Sequence, residues 1–215
     1  MKRFTLYGSP HSLPTYKVAL MLRLSNEPFS FRYVSFQKGM NKTPEFLALS
    51  RWRQVPVLID RERTYLQSAA IVEHLAATLG RFQGADAATR QRVREWLYWN
   101  VDALFPPIFN CYGVELGRNK LLPIGVEPTI ADHYRGRAEA ALSVLDSHLA
   151  GGAYLCAAEP TIADLFCYGD VAFAELCAFD LGRWTHVAGW AERVTALPGF
   201  KAPFELLAME NAELS

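Results

Sequence analysis

The chain has 215 residues, with Lys plus Arg and Asp plus Glu balanced at 22 each. That length holds one or two domains with a sizeable core, and the even charge gives no basic excess for nucleic acid and no like-charge tail. Lys2 and Arg3 are not followed by an apolar stretch, as a signal peptide would need, and no run reaches the roughly 18 apolar residues of a membrane span, so the chain is expected in the cytoplasm, away from membranes.

Arg3 to Tyr7 alternates in polarity and predicts a first strand, turned by Gly8-Ser9-Pro10. From Pro14 a helical pattern runs through Val18, Met21, Leu22 and Ser25, with Ser12 where an N-cap would stand. Phe29 to Phe36 alternates as a second strand, 37–43 is a polar loop, and Pro44 to Ala48 makes a helical turn. A third strand, the charged turn Asp60-Arg61-Glu62-Arg63, and a short strand Thr64-Tyr65-Leu66 come next. A helix follows with Ser68 at its start, Ile71, Val72, Leu75 and Leu79 on one face, and Gly80 at its end. The order βαβ then ββα predicts a small mixed sheet covered by helices.

Residues 81–88 read as a linker, and beyond them the pattern turns helical. Val93, Trp96, Leu97, Asn100, Val101 and Leu104 keep helical spacing until Pro106-Pro107 ends or kinks the helix. Pro128 starts another, with Ile130, Tyr134, Ala138, Ala141, Leu142, Leu145 and Leu149 on its face. Thr161-Ile162-Ala163-Asp164 is a capping box that opens a nearly apolar helix towards Phe179. A last helix spans about Thr185 to Ala196 and stops at Leu197-Pro198-Gly199. Cys111, Cys156, Cys167 and Cys177 have neither C-x-x-C nor metal-ligand spacing, so they read as buried small hydrophobes, with no metal site.

The run around which the chain is organised is Arg53-Gln54-Val55-Pro56-Val57-Leu58-Ile59-Asp60. Val57, Leu58 and Ile59 suit a buried strand, and Pro56 is tolerated at its first position because no ladder bond is needed there. A cis bond before Pro56 would turn Val55 outward, leaving its N–H and C=O to pair with an extended peptide-like ligand. Only about 5% of X–Pro bonds are cis, so local reasoning alone leaves trans as the default.

Four features in this order and spacing resemble the cytosolic glutathione S-transferase family, and the resemblance covers nearly the whole chain. They are Tyr7-Gly8-Ser9-Pro10 with the stretch Gly39 to Phe46, Gln54-Val55-Pro56-Val57-Leu58, Gln67-Ser68 at a helix start, and the Thr161–Asp164 box. The resemblance implies α/β plus all-α architecture: a thioredoxin-like N-terminal domain (1–80), a linker (81–88) and a C-terminal helical bundle domain (89–215), usually as a homodimer. It implies a cis bond at Pro56. Ser12, six residues before Val18, falls where serine-type members keep the hydroxyl that meets the glutathione sulfur. Val55 would pair with the cysteinyl part of glutathione, Gln67 and Ser68 would hold the γ-glutamyl end, Lys42 and Asn41 the glycyl carboxylate, and Gln54 lies between. Trp52-Arg53 departs from the common Pro-Phe-Gly or Pro-Arg-Gly, and Gln67 stands where serine-type members often carry Glu or Asp. That mixture keeps Tyr7 as a second candidate for the sulfur, with His11 and Ser9 behind it.

The chemistry suits these groups. A thiol with a pKa near 8.5 is only a few per cent thiolate at pH 7, and lowering that value by about two units takes roughly 2.7 kcal/mol of preferential stabilisation. A hydroxyl donor at a helix N-terminus supplies much of it. On local grounds alone Ser12 and Ser68 are helix caps and Lys42 a surface lysine. The aromatic group Trp96, Tyr98, Trp99, Phe105, Phe109 and Tyr112 reads mostly as core, part of it lining a pocket for the electrophile, with the helical domain offering an apolar site beside the sulfur. The expected function is conjugation of glutathione, as co-substrate, to a hydrophobic electrophile. The alternatives are another glutathione-dependent activity (isomerase, peroxidase or disulfide reductase) or a non-catalytic interaction protein.

Overall fold

A computed structural model describes residues 2–118 and 128–215. The chain divides into two compact units, one formed by Met1–Arg81 with Leu197–Ser215, the other by Phe82–Ala196. The first is thioredoxin-like and the second helical.

The first unit is built on a mixed five-stranded sheet, in which β1 (Phe4–Gly8), β2 (Phe29–Tyr33), β3 (Val57–Asp60), β4 (Arg63–Leu66) and β5 (Ala212–Leu214) stand in the order β4-β3-β1-β2-β5. Strand β1 (Phe4–Gly8) and β2 (Phe29–Tyr33) pair in parallel across helix α1 (Leu13–Leu24), the βαβ unit that the alternation predicted. Strand β3 (Val57–Asp60) runs antiparallel to β1, and β4 (Arg63–Leu66) closes the hairpin. Phe4, Leu6, Phe29, Phe31 and Leu58 are fully buried, together with Leu13, Val18, Leu20, Met21 and Leu22 of α1. Strand β2 is shorter than the alternation suggested. It stops at Tyr33, although the Val34 N–H still reaches the Gly8 carbonyl at 2.7 Å, and Phe36 stands in solvent. A Cβ at Gly8 would lie 2.1 Å from Thr15 Cγ2, so only glycine lets the end of β1 sit against the first turn of α1.

Beyond β2 a 3₁₀ turn (Met40–Lys42) leads into the short helix α2 (Pro44–Leu49), whose first turn is capped by the Thr43 hydroxyl. Helix α3 (Ser68–Leu79) ends at Gly80 in the left-handed region, as predicted.

The sequence placed 197–215 in the helical domain. The structure corrects this: α9 (Pro203–Leu206) and β5 (Ala212–Leu214) belong to the first unit, and β5 pairs antiparallel with β2. Ser30 Oγ donates to Glu213 at 2.6 Å, Arg32 pairs with the same carboxylate at 2.8 Å, and Lys2 Nζ donates to the Leu214 carbonyl at 2.6 Å. A three-residue strand carries too little alternation to be read from sequence.

At the end of β3, buried Asp60 accepts from Arg3 Nε at 2.7 Å on Oδ1 and from Nη2 at 2.9 Å on Oδ2, and His74 Nε2 lies 3.0 Å from the same Oδ2. The Tyr65 ring stacks on His74 at 3.8 Å. The Arg3 hydrogen bond, and then the contact with His74, hold the Asp60 carboxyl below its ordinary range against the upward push of burial. A depressed folded value means that the pairing contributes fully above the unfolded value of about 3.9 and is lost as pH falls through the lower folded one. The denaturant midpoint of the wild type is therefore expected to exceed that of Asp60→Asn at pH 7, and the gap to shrink at pH 3, as urea titrations at both pH values would reveal.

In the second unit α4 (Ala87–Trp99), capped by Asp86 through Thr89 N–H at 2.6 Å, widens into a π-helical turn over Asn100–Leu104 and continues as α5 (Phe105–Arg118). Pro106 and Pro107 follow directly on the wider turn, at the head of α5. The wider turn keeps Asn100 and Leu104 inside but leaves Val101 out in solvent, an offset that a 3.6-residue period cannot register. Tyr98 and Phe109, read as core, are also exposed. Helix α6 (Pro128–Leu149) buries Ala138, Leu142 and Leu145, while Ile130 near its start is exposed. Helix α7 (Ile162–Ala174) is buried almost all round, and α8 (Thr185–Thr195) inserts Trp190.

Candidate functional site

Ser12 is the N-cap of α1. Its backbone is extended, and its Oγ accepts the Thr15 N–H at 3.2 Å. Its own N–H donates to the Ser9 carbonyl at 3.0 Å, which fixes the turn between β1 and α1. A serine hydroxyl both donates and accepts. With a lone pair committed to Thr15, the O–H hydrogen remains available to a group beyond the helix end. Ser9 is buried, and its Oγ accepts the His11 N–H at 3.3 Å. Tyr7 is half-buried and packs against the small cluster of Val34, Phe46 and Val57, as Val55 and Leu66 also do.

The peptide bond between Val55 and Pro56 is cis, and Pro56 is buried. The ladder begins only at Val57, opposite Tyr7 and Leu66, so Val55 takes no part in it. Gln54 just before it is held by Ser50, whose buried hydroxyl donates to the Gln54 carbonyl at 2.9 Å and accepts its N–H at 3.3 Å. Ser50 was not foreseen; a small polar residue at a helix end carries no signal of its own in sequence.

The β3–β4 hairpin returns Gln67 beside this run, where its Nε2 donates to Gln54 Oε1 at 3.4 Å. Gln67, not Ser68, is the N-cap of α3, and its side chain makes no capping bond; Ser68 is the first helical residue. The correction matters electrostatically, because the first N–H groups of α3 are left without a side-chain acceptor and the helix dipole favours an anion there. On the opposite side Asn41 Nδ2 donates to the Arg53 carbonyl at 3.3 Å, tying the 3₁₀ turn that carries Lys42 to the loop before Val55. Lys42 and Arg53 are exposed and make no ion pair among the described residues. Gln67 and Arg53, which flank the Val55 run, both hold positive φ, 66° and 58°. Non-glycine residues in such conformations cost energy and gather at ligand sites.

The first unit therefore gathers Gln54, Val55, Pro56 and Gln67 through direct contacts, Ser68 next in chain, Asn41 and Lys42 on the tied turn, and Ser12 at the head of α1. The arrangement is an unpaired strand-like backbone with amides on both sides, cations near one end and a bare helix start near the other. It suits an extended peptide with carboxylates at its ends.

The glutathione S-transferase N-terminal domain model matches residues 11–78 and the C-terminal domain model residues 125–193. A crystal structure of a glutathione S-transferase from Xanthobacter autotrophicus Py2 superposes with a TM-score of 0.84 at 30% identity, covering 94% of this chain and 98% of that one. Glutathione S-transferase 3 of Zea mays is 27% identical over 94% of this chain and 93% of its own. The disulfide-bond oxidoreductase YfcG of Escherichia coli is 24% identical over 85% and 86%. The chain belongs to the glutathione S-transferase family.

Proposed function

We propose that this chain is a serine-type glutathione transferase that takes glutathione as co-substrate and conjugates it to a hydrophobic electrophile. The observation that carries the reading is Val55, left out of the ladder between two loops that close on it through Gln54–Gln67 and Asn41–Arg53. Glutathione would lie along Val55 as one added strand, its γ-glutamyl carboxylate at Gln67 and the N–H of Ser68, its glycyl carboxylate at Lys42 and Asn41. The sulfur would face Ser12. The thiol proton passes to solvent, the Ser12 O–H and the positive end of α1 stabilise the thiolate, a C–S bond forms, and the leaving group departs with its electron pair.

Titration calorimetry tests this directly. Glutathione should bind the wild type, and Lys42→Ala should weaken it about tenfold, as expected for loss of one charge-assisted contact. Absence of heat from the wild type would sink the proposal. The same reading carries a homodimer in the cytoplasm, with the first unit, 1–81 together with 197–215, as the glutathione-binding domain; among the described residues no helix is long and apolar enough to cross a membrane.

A second reading, disulfide reduction, draws on the relative named as a disulfide-bond oxidoreductase. The chain's own cysteines do not serve it. All four are buried in the second unit, and burial pushes Cys156 and Cys177 up to about 12, far from a reactive thiolate. Any such exchange would run between glutathione and the disulfide, and assaying bis(2-hydroxyethyl) disulfide beside an aryl halide separates the two readings.

A further inference from the structure

Helix α1 is buried on nearly every side, from Leu13 to Leu24, although only one of its faces can lie on the sheet. The returning segment 197–215 covers another. Arg23, in the last turn of α1, donates through Nε to the Gly199 carbonyl at 2.9 Å and through Nη1 to the Ser215 carbonyl. Pro203, Leu206 and Leu207 are buried, and β5 fastens the end of the segment to β2.

The tether nearest the candidate site is Tyr16. Its backbone N–H donates to the Ser12 carbonyl at 3.0 Å, the first helical bond of α1. Its ring is fully buried, and its hydroxyl donates to the Lys201 carbonyl at 2.9 Å. A phenylalanine would bury the same ring without that bond. The first turn of α1 is therefore held from two directions, by the close approach of Gly8 to Thr15 at the end of β1 and by Tyr16 on the returning segment. Ser12 rides on that turn, and a hydroxyl that must meet a sulfur has to be placed within about 0.5 Å.

We propose that Tyr16 is a positioning residue: through its bond to Lys201, the segment 197–215 sets the place of the Ser12 hydroxyl against the glutathione sulfur. The inference rests on the reading of Ser12 as the sulfur partner. Arg23, about three turns along α1 from Ser12, secures the segment and not the head of the helix.

The test titrates the thiolate absorbance of bound glutathione against pH in the wild type, Ser12→Ala, Tyr16→Phe, Arg23→Met and the Ser12→Ala/Tyr16→Phe double variant. Complexes with S-methylglutathione, which has no thiol, subtract protein groups such as the half-buried His11 beside Ser12. Tyr16→Phe should raise the midpoint of the bound thiol by about half a pH unit, a roughly threefold change in its ionisation constant and a fraction of what one hydrogen bond to a charged group supplies. Affinity for S-methylglutathione should stay unchanged. Within Ser12→Ala the same change should move the midpoint no further, because the hydroxyl that Tyr16 places is gone. Arg23→Met should lower the melting point and keep the wild-type midpoint. A Tyr16→Phe midpoint equal to wild type overturns the inference and leaves the proposed function standing. An equal shift in Arg23→Met, or full additivity with Ser12→Ala, does the same, since general loosening of the unit would then be the cause. A Ser12→Ala midpoint equal to wild type, or a wild type that does not bind glutathione, overturns the reading of Ser12 and the inference with it.

Discussion

Ser12→Ala is expected to lower kcat/KM for conjugation by about 10- to 100-fold while leaving the affinity for glutathione nearly unchanged. A hydrogen bond to a charged group is worth roughly 1.5–3 kcal/mol, and the bond at issue forms with the thiolate rather than the thiol. The acidic limb of the pH–rate profile should move up by about one to two units, since the same free energy sets the thiol's ionisation. Ser12 is also a cap, so its removal should cost about 1 kcal/mol of stability as well. Two further variants separate these roles. Ser12→Thr keeps a hydroxyl and should keep most of the activity. Ser12→Asp caps as well as serine but has no proton to donate and sets a negative charge against the sulfur, so it should fold normally and conjugate poorly. Should Ser12→Ala keep its rate within twofold while its melting point falls, the residue is a cap and nothing more.

The second large effect concerns stability. The Asp164 carboxylate, fully buried at the start of α7, accepts four donors: Leu155 N–H at 2.8 Å, Thr161 N–H at 2.8 Å, Thr161 Oγ1 at 3.0 Å and Trp190 Nε1 at 3.0 Å. The side chain of Thr161 therefore donates to the carboxylate, while its carbonyl accepts the Asp164 N–H at 3.0 Å. Burial pushes the Asp164 carboxyl up, and the donors pull against it. Asp164→Ala would strand three buried N–H groups from α8, from the helix start and from the loop before it. Each unmet donor costs about 1–3 kcal/mol, so the loss should be about 4 kcal/mol, or roughly 10 °C in melting point for a chain of this size. Asp164→Asn keeps one carbonyl oxygen and should fall between. A melting point within 2 °C of wild type for the alanine variant would mean that the carboxylate does not join these elements.

The Thr161–Asp164 box is legible in sequence because its two members lie three residues apart; the contacts with Leu155 and Trp190, 9 and 26 residues away, are not. The same rule covers the rest of the fold. β1, α1, β3, α3 and α7 have periods long enough to read. The π-helical turn at 100–104 and strand β5 leave no periodic trace, since one is a change of pitch and the other only three residues long. In the candidate site the chain-local part, Gln54 to Pro56, stood out at once, but the cis bond followed from the family resemblance and not from proline statistics. Ser68 was mistaken for a cap because serine is the commoner choice there, whereas the structure gives the position to Gln67 with positive φ. The bond between Tyr16 and Lys201 could not be foreseen, because 185 positions separate the two and only the return of the chain to the first unit brings them together.

That return has a consequence for biosynthesis. The thioredoxin-like unit is assembled from both ends of the polypeptide, whereas Phe82–Ala196 is continuous. A ribosome therefore delivers the whole helical unit before the residues that cover β2. Until Ala212–Leu214 emerges, Phe29, Ser30 and Phe31 present an open row of amides and carbonyls, the kind of margin that neighbouring nascent chains pair with. Strand β5 acts as a seal, added after the helical unit.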